Sequence, residues 1–176
     1  MNDKINLVNE KGTRAGSIGK LEAHIRGELH EAFSIFIFNE NKELLLQKRA
    51  MKKYHSGGLW TNTCCSHPRV GEKLETAVHR RLEEEMGLDC ELKKTHAFAY
   101  RAEQLSNGLI ENEFDHVFVG NINKKTKIIP NQDEVCECRW VRLEDLKEEI
   151  KKSPQLFTEW MKIILRNPEF IEIKTI

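Results

Sequence analysis

The sequence predicts a single α+β domain in which helices cover a mixed β-sheet. Strand-like runs outnumber helical runs and do not alternate regularly with them, which argues against a repeating strand–helix architecture. The length of 176 residues fits one domain, since a domain has roughly 150 residues. No internal repeat or Pro/Gly/Ser-rich linker divides the chain. We therefore expect one domain over residues 1–176.

The first two strands are predicted at residues 33–38 (FSIFIF) and 43–49 (ELLLQKR). Both runs are rich in apolar residues of the types found in strands. The four residues between them, NENK, are typical of turns. The pattern therefore predicts a β-hairpin.

A helix is predicted after Gly71, because apolar residues recur at every fourth position from Leu74 to Met86. Gly87 follows directly and is the expected C-terminal cap. The chain then returns to strand-like runs, which we expect around residues 97–100, 114–119 and 134–141.

Two helices are predicted at the end of the chain, over residues 143–152 and 155–167. Pro168 lies just beyond the second and is expected to end it.

Charge and composition exclude several classes of protein. The 28 Lys and Arg residues balance the 28 Asp and Glu residues, so a nucleic-acid partner is not expected. No apolar run approaches the roughly 18 residues of a membrane span, and the polar start lacks the apolar segment of a signal peptide. The five cysteines show no disulfide framework and no CxxC zinc pattern. We therefore expect a cytoplasmic protein with reduced thiols and no membrane partner.

Two short segments carry polar patterns that core packing does not require. In WTNTCCSHP, Cys65 and His67 are two residues apart, so they face the same side of an extended backbone. In IENEFDH, Glu111 and Glu113 share a face by the same rule. Two adjacent carboxylates repel each other, so they need a cation or a proton between them.

His24 and His30 precede the first predicted strand and complete a set of three imidazoles and two carboxylates. Such a mixed N/O set suits Mn²⁺, Mg²⁺, Fe²⁺ or Zn²⁺. Each member alone has an ordinary interpretation, such as a surface histidine or a solvated strand face. The remaining histidines are assigned to that ordinary class, with His116 placed opposite the carboxylates: His55, His79, His96 and His116. Cys64 is expected to pack as a small apolar residue.

These segments together closely resemble the type I isopentenyl-diphosphate Δ-isomerases, which are members of the Nudix fold family. The resemblance extends from about Asn6 to Trp160 and rests on TNTCCSHP, ENEFD, EAHIRGELHEAFSIFIFN and AVHRRLEEEMG. It implies a Nudix-type α/β/α sandwich around a mixed β-sheet. It also implies an isomerase of isoprenoid biosynthesis that interconverts isopentenyl and dimethylallyl diphosphate by a 1,3-allylic proton shift.

The same resemblance implies a role for individual residues. The implied catalytic pair is Cys65 and Glu113. The implied ligands of a divalent ion are His24, His30, His67, Glu111 and Glu113. Glu85 and the Cys65 carbonyl are the implied ligands of a Mg²⁺ on the substrate diphosphate. The implied diphosphate contacts are Lys20, Arg49, Lys53 and Arg81, and the aromatic residues near the hydrocarbon end are Tyr100 and Trp160.

The expected ion at the His/Glu site is Mn²⁺ or Mg²⁺, with Zn²⁺ as the alternative. The expected partner is a small-molecule diphosphate, and the expected assembly is a monomer or weak dimer.

A Nudix pyrophosphohydrolase is the alternative enzyme, with the family pattern GX5EX7REUXEEXGU. Five positions of that pattern are in register when it is aligned on Gly87: Glu72, Arg80, Leu82, Glu84 and Glu85. Ser66 replaces the opening glycine, and Arg81 replaces a carboxylate that would help a metal to activate water. A structural metal-binding module is the non-enzyme alternative, although five ligands and a thiol exceed what a tetrahedral structural site uses.

Overall fold

The computed structural model describes residues 4–103 and 108–172. Over these ranges the chain forms nine β-strands, five α-helices and one 3₁₀ turn at Pro154–Leu156. The strands are β1 Lys4–Val8, β2 Arg14–Gly19, β3 His30–Phe38, β4 Glu43–Arg49, β5 Trp60–Thr61, β6 Cys64–Ser66, β7 Leu92–Glu103, β8 Ile110–Asn121 and β9 Val135–Arg142. The helices are α1 Lys20–Arg26, α2 Leu74–Met86, α3 Leu143–Lys152, α4 Glu159–Arg166 and α5 Pro168–Glu172.

Strand β3 is the centre of a mixed sheet. One edge of β3 pairs in parallel with β8 over its whole length, from His30 opposite Glu113 to Phe38 opposite Asn121. The other edge pairs antiparallel with β1 and β4 at its two ends and with β6 in the middle. Strand β7 extends the sheet beyond β8, and β9 pairs with β4.

The side chains of β3 alternate between two apolar cores, because successive residues of a strand face opposite sides. Phe33, Ile35 and Ile37 pack on one side of the sheet with Val78 and Leu82 of α2. The regular spacing of apolar residues in α2 is thus explained by its burial against the sheet.

The second core lies on the other side of the sheet. There Phe36 and Leu44 pack against Leu146 of α3, Met161 of α4 and Phe170 of α5. Helices therefore cover both faces, which confirms the predicted α+β sandwich around a mixed sheet. None of the helices in residues 4–103 and 108–172 is long and apolar enough to cross a membrane.

The predicted hairpin and the first predicted helix are confirmed. A turn at residues 39–42 joins β3 to β4, and α2 ends at Gly87, whose φ of 60° is in the left-handed region. Strands β7 and β8 are longer than the predicted runs at 97–100 and 114–119.

The predicted helix over residues 155–167 is wrong as one continuous element. Phe157 forms a β-bridge with Trp60, and the Thr158 amide donates to the Trp60 carbonyl at 3.0 Å. These contacts keep the two residues extended, so the helix begins only at Glu159. Helix α4 ends at Arg166, so Pro168 lies just beyond it as predicted, and Pro168 is also the first residue of α5.

Candidate active site

A cavity of about 50 Å³ lies near the end of the sheet at which β3 and β8 begin. It is lined by Lys20, His24, Phe33, Arg49, Lys53, Tyr54, His55, Cys65, Ser66, His67, Arg81, Glu111, Glu113 and Trp160. Every predicted site residue except His30, Tyr100 and Glu85 is among them. A larger cavity, of about 690 Å³, lies against Phe38, Val119 and Phe170 and contains none of the predicted residues.

Strand β8 places its carboxylates on one face, as the alternation predicts. Glu111, Glu113 and Asp115 share the face of Val117, which packs in the core formed with α4. His116 lies on the opposite face, with its Nε2 3.5 Å from Glu31. The predicted separation of His116 from the carboxylates is therefore confirmed.

Asp115 was absent from the predicted site, although the same alternation could have found it. It is completely buried, and neither carboxylate oxygen has a hydrogen-bond partner in the described residues. Burial and the charges of Glu113 and Glu111 raise its pKa well above the ordinary value.

Three side chains face the carboxylate of Glu113, and two of them, Tyr100 and His67, lie within hydrogen-bond distance of it. The Tyr100 hydroxyl donates to its Oε2 at 2.5 Å, and Nε2 atoms of His67 and His30 lie 3.0 and 3.5 Å from its Oε1. Burial acts to raise the pKa of Glu113, but the contacts from His30 and His67 outweigh it and hold the pKa well below its usual range. Glu113 is therefore an ionised carboxylate at neutral pH.

His24 and His30 each use one ring nitrogen to contact the backbone. The Nδ1 of His24 lies 2.7 Å from the Lys20 carbonyl, and the Nδ1 of His30 lies 2.7 Å from the Glu28 carbonyl. A carbonyl only accepts hydrogen bonds, so each Nδ1 carries the proton and Nε2 presents a lone pair when the ring is neutral. This arrangement is typical of metal-binding histidines.

Those lone pairs face carboxylate oxygens rather than donors. His24 Nε2 lies 3.4 Å from Glu111 Oε2, and His30 Nε2 lies 3.5 Å from Glu113 Oε1. Among the described residues, neither His30 Nε2 nor Glu111 Oε2 has a hydrogen-bond partner, although both are buried. Acceptors that face each other out of contact with water need a cation or a proton between them.

The donor set therefore fits a divalent cation. One metal-competent group, with its ligand atoms within 4.8 Å of one another, comprises His24, His30, His67 and Glu113. A second comprises His24, His55 and Glu111. All five predicted ligands are found in these two groups.

His55 also lies at this site, although the sequence analysis assigns it to the ordinary histidines. It is 5% exposed, and its Nε2 contacts Oε1 of Glu111. Burial and the Glu113 charge act to raise the pKa of Glu111, but the contacts from His24 and His55 lower it overall. No spacing rule connects His55 with a strand 56 residues further along the chain, so the sequence carried no signal for this contact.

Strand β6 separates the two adjacent cysteines onto opposite faces of the sheet. Cys64 is buried in the core formed with α2, as predicted, whereas Cys65 lines the cavity. Burial raises the pKa of Cys65 to about 12, although the nearby Arg49 guanidinium acts to lower it. The Cys65 thiol therefore carries its proton at neutral pH.

Burial shifts the pKa of His67 in the opposite direction from that of Cys65. Burial lowers the pKa of His67 to about 3, despite the contact with Glu113. The ring is therefore neutral at pH 7, which is the form that binds a cation.

The predicted phosphate-binding cations lie at the cavity but have protein partners in this structure. Arg49 donates to the His55 carbonyl through Nε and Nη2 at 3.1 and 3.0 Å. Lys53 pairs with Glu134, and Arg81 pairs with Glu85. Their accumulation at one cavity creates a site that suits an anion.

Glu85 lies beneath that cationic region and is completely buried. Its Oε2 accepts a hydrogen bond from Gln47 at 2.8 Å, and its Oε1 is held by Arg81. Glu85 is therefore close to the predicted diphosphate contacts, and its role as a Mg²⁺ ligand remains a prediction.

Arginines of α2 neutralise carboxylates of the hydrolase pattern that lie on this helix and just before it. Arg80 donates to both oxygens of Glu72 at 2.7 and 2.8 Å and to Glu84 at 3.0 Å. Arg81, at a position where the hydrolase pattern has a carboxylate, donates to Glu84 at 2.6 Å. This arrangement disfavours a metal cluster on α2 of the kind that activates water.

Comparison with known proteins identifies the family and agrees with the fold. Residues 28–161 match the NUDIX domain family. The chain is 51% identical over 174 residues to Isopentenyl-diphosphate Delta-isomerase 2 of Photorhabdus laumondii, with coverage of 99% of this chain and 97% of the relative. It is 50% identical over 161 residues to Isopentenyl-diphosphate Delta-isomerase 2 of Aromatoleum aromaticum, with coverage of 92% and 84%.

A solved structure supports the fold independently. The protein DR0079 of Deinococcus radiodurans superposes with a TM-score of 0.76 over 93% of this chain and 97% of its own, at 17% sequence identity. This likeness concerns the fold alone.

The domain match defines the class of protein as Nudix. Within that class, the chain belongs to the isopentenyl-diphosphate Delta-isomerase family. The predicted resemblance is thereby confirmed.

Proposed function

We propose that this protein interconverts isopentenyl diphosphate and dimethylallyl diphosphate as an isomerase of isoprenoid biosynthesis. The observation that carries the proposal is a single cavity in which Cys65 and Glu113 occur together with cationic side chains. The cations proposed to bind the diphosphate are Lys20, Arg49, Lys53 and Arg81.

The reaction adds a proton to one end of an allylic unit and removes another proton two carbons away. An unactivated alkene is a poor base, and its protonation gives a tertiary carbocation of high energy. An acid and a base must therefore be held at fixed positions on the substrate. We assign these positions to Cys65 and Glu113.

The protonation states of this pair suit the reaction. Burial keeps the pKa of Cys65 near 12, so the thiol is protonated, whereas Glu113 is ionised. The pair thus holds one proton, which is the number that a reversible proton shift requires. The donor and acceptor roles exchange with the direction of the reaction.

Two aromatic side chains support the pair. Tyr100 donates to Glu113 from the buried side, so a proton can be shared there without exposure to bulk water. Trp160 lines the cavity, and its ring can stabilise a carbocation by about 2 kcal/mol when water is excluded.

A divalent ion held by His24, His30, His67, Glu111 and Glu113 would supply positive charge next to the catalytic carboxylate. We propose Mn²⁺ or Mg²⁺ at this site, with Zn²⁺ as the alternative. A second ion, Mg²⁺ on the diphosphate, is proposed near Glu85.

We further propose that the protein acts in the cytoplasm as a monomer or weak dimer, with no nucleic-acid partner. The balanced charge supports the absence of a nucleic-acid partner, and the cavity with its cationic side chains suits a small-molecule diphosphate.

The test is to incubate the purified protein with isopentenyl diphosphate and Mg²⁺ and to assay the acid-labile allylic product. Formation of that product without phosphate release is expected. Release of phosphate or pyrophosphate without the allylic product would instead indicate a hydrolase.

A further inference from the structure

We propose that His55 is a positioning residue that orients the carboxylate of Glu111 toward the divalent ion. His55 lies outside the predicted ligand set, in the loop between β4 and β5. The proposal rests on the metal site described under the proposed function, and it assigns a hydrogen-bonding role to a fourth histidine of that site.

The contact with Glu111 involves one carboxylate oxygen only. His55 Nε2 contacts Oε1, while Oε2 faces His24 Nε2 at 3.4 Å. Glu111 Oε2 is buried and has no hydrogen-bond partner within the described residues. A carboxylate that accepts a hydrogen bond at one oxygen cannot rotate freely, so the second oxygen is kept available for the cation.

The geometry favours a hydrogen-bond donor over a sixth ligand. His24 and His30 have Nδ1 anchored on backbone carbonyls and turn Nε2 into the cluster. His55 Nδ1 has no such anchor among the described residues, and Nε2 points at a carboxylate oxygen. The Nδ1 of His24 donates to the Lys20 carbonyl, so the neutral ring has one lone pair, at Nε2, with which to bind an ion. His24 therefore cannot bind one ion with His30 and His67 and a second ion with His55.

The surroundings of His55 hold its ring in place. The ring stacks on Trp160, with centroids 5.5 Å apart and planes at 28°. The His55 carbonyl accepts two hydrogen bonds from the Arg49 guanidinium, at 3.1 and 3.0 Å. A side chain fixed at both its ring and its backbone can impose an orientation on Glu111.

The test compares His55→Gln with His55→Asn in full-length protein that has been stripped of metal and titrated with Zn²⁺ by calorimetry. The glutamine amide nitrogen reaches about as far as Nε2 and can donate to Glu111, whereas the asparagine amide is too short. We expect His55→Asn to weaken Zn²⁺ binding by about 10–100-fold and His55→Gln to restore most of the affinity. His79→Gln is the matched control, because His79 is on α2 and contacts Asp89 rather than the site.

X-ray absorption of the Zn²⁺-saturated proteins counts the imidazole ligands. We expect the same count in the wild type and in both variants. Loss of one imidazole in either variant would show that His55 is itself a ligand and would overturn the proposal. So would wild-type affinity in His55→Asn, or equal weakening in both variants.

The titration contains no isopentenyl diphosphate, so its outcome is independent of the reaction. The wild type and the two variants could bind Zn²⁺ with the expected relative affinities while the wild type forms no allylic product. That result would overturn the proposed function and leave the role of His55 intact.

Discussion

The hydroxyl of Tyr100 donates a hydrogen bond of 2.5 Å to Oε2 of Glu113, its directly opposite neighbour in the β7–β8 pairing. Residues that face each other across an antiparallel pair have side chains on the same side of the sheet. His67 contacts the other oxygen of the same carboxylate at 3.0 Å. Glu113 is thus held at both oxygens in a buried site. The proposed proton transfer requires such a fixed carboxylate.

Removal of the Tyr100 hydroxyl is expected to slow the proton transfer. Tyr100→Phe keeps the ring, which packs in the core with α4, but leaves Glu113 Oε2 without its donor. We expect kcat to fall by about 100-fold, as for loss of one acid–base contribution, while the metal content stays unchanged. Steady-state kinetics and elemental analysis test this expectation. An unchanged kcat would show that the hydroxyl has no part in the reaction.

The two adjacent cysteines provide a matched pair of variants. Cys65→Ala is expected to reduce isomerisation by at least about 10³-fold, because it removes a proton-transfer group. Cys64→Ala is expected to retain kcat and to lower the free energy of unfolding by about 1 kcal/mol, because Cys64 packs in the apolar core. Product formation and thermal unfolding separate the two effects. Similar activities in the two variants would contradict the role of Cys65.

The raised pKa of Cys65 predicts a specific pH dependence of alkylation. The thiolate is the reactive form, and burial raises the pKa from the ordinary 9.0 to about 12. Labelling of Cys65 by iodoacetamide should therefore be slow at pH 8 and should still increase above pH 10, whereas the exposed Cys136 serves as the accessible reference. Mass spectrometry of the labelled peptides measures both rates. A labelling midpoint for Cys65 below 9 would contradict the raised pKa.

The raised pKa of Cys65 also makes the free energy of unfolding depend on pH. Between the ordinary pKa and the folded value, the folded protein keeps a proton that the unfolded chain has lost. The Cys65 contribution to the free energy of unfolding is therefore fully present below pH 9 and is lost as the pH rises toward 12.

Asn112 is expected to stabilise the metal site from the opposite face of β8. Its side chain donates to the Gly27 carbonyl at 2.9 Å, and Arg101 donates to the same oxygen at 3.1 Å. Gly27 ends α1, the helix that carries His24, with a φ of 65° in the left-handed region.

Asn112→Ala should therefore lower the free energy of unfolding by about 1 kcal/mol and also weaken metal binding, because α1 is less firmly held. Chemical unfolding of the metal-free protein and Zn²⁺ titration measure the two effects. Unchanged Zn²⁺ affinity in a destabilised variant would show that α1 does not depend on this contact for its position.

Local patterns in the sequence predicted those helices and strands in which the spacing of apolar or polar residues reflects which face is buried. Helix α2 shows its spacing because one face packs on the sheet, and Glu111 and Glu113 share a face through strand alternation alone. The spacing of Cys65 and His67 and the two leading histidines also indicated a metal site, whereas resemblance supplied the individual roles and the remaining residues. The structure brings His24 and His30 together with their ring centroids 4.8 Å apart.

The failures are contacts between distant segments. Thr158 stays extended because its hydroxyl donates to the Thr61 hydroxyl and its amide donates to the Trp60 carbonyl. Helical periodicity cannot reveal these contacts. His55 likewise reaches Glu111 only after the loop following β4 folds across the beginning of β8. Neither residue has a local pattern that distinguishes it from an ordinary neighbour.

The central claim is that this protein isomerises isopentenyl diphosphate by proton transfer through Cys65 and Glu113. The most direct measurement is an NMR assay with isopentenyl diphosphate and Mg²⁺ in D₂O, run on the wild type, Cys65→Ala and Glu113→Gln. The wild type should form dimethylallyl diphosphate that carries solvent deuterium, with no phosphate released, and both folded variants should form almost none. Near-wild-type turnover in either variant, or phosphate release without the allylic product, would contradict the account.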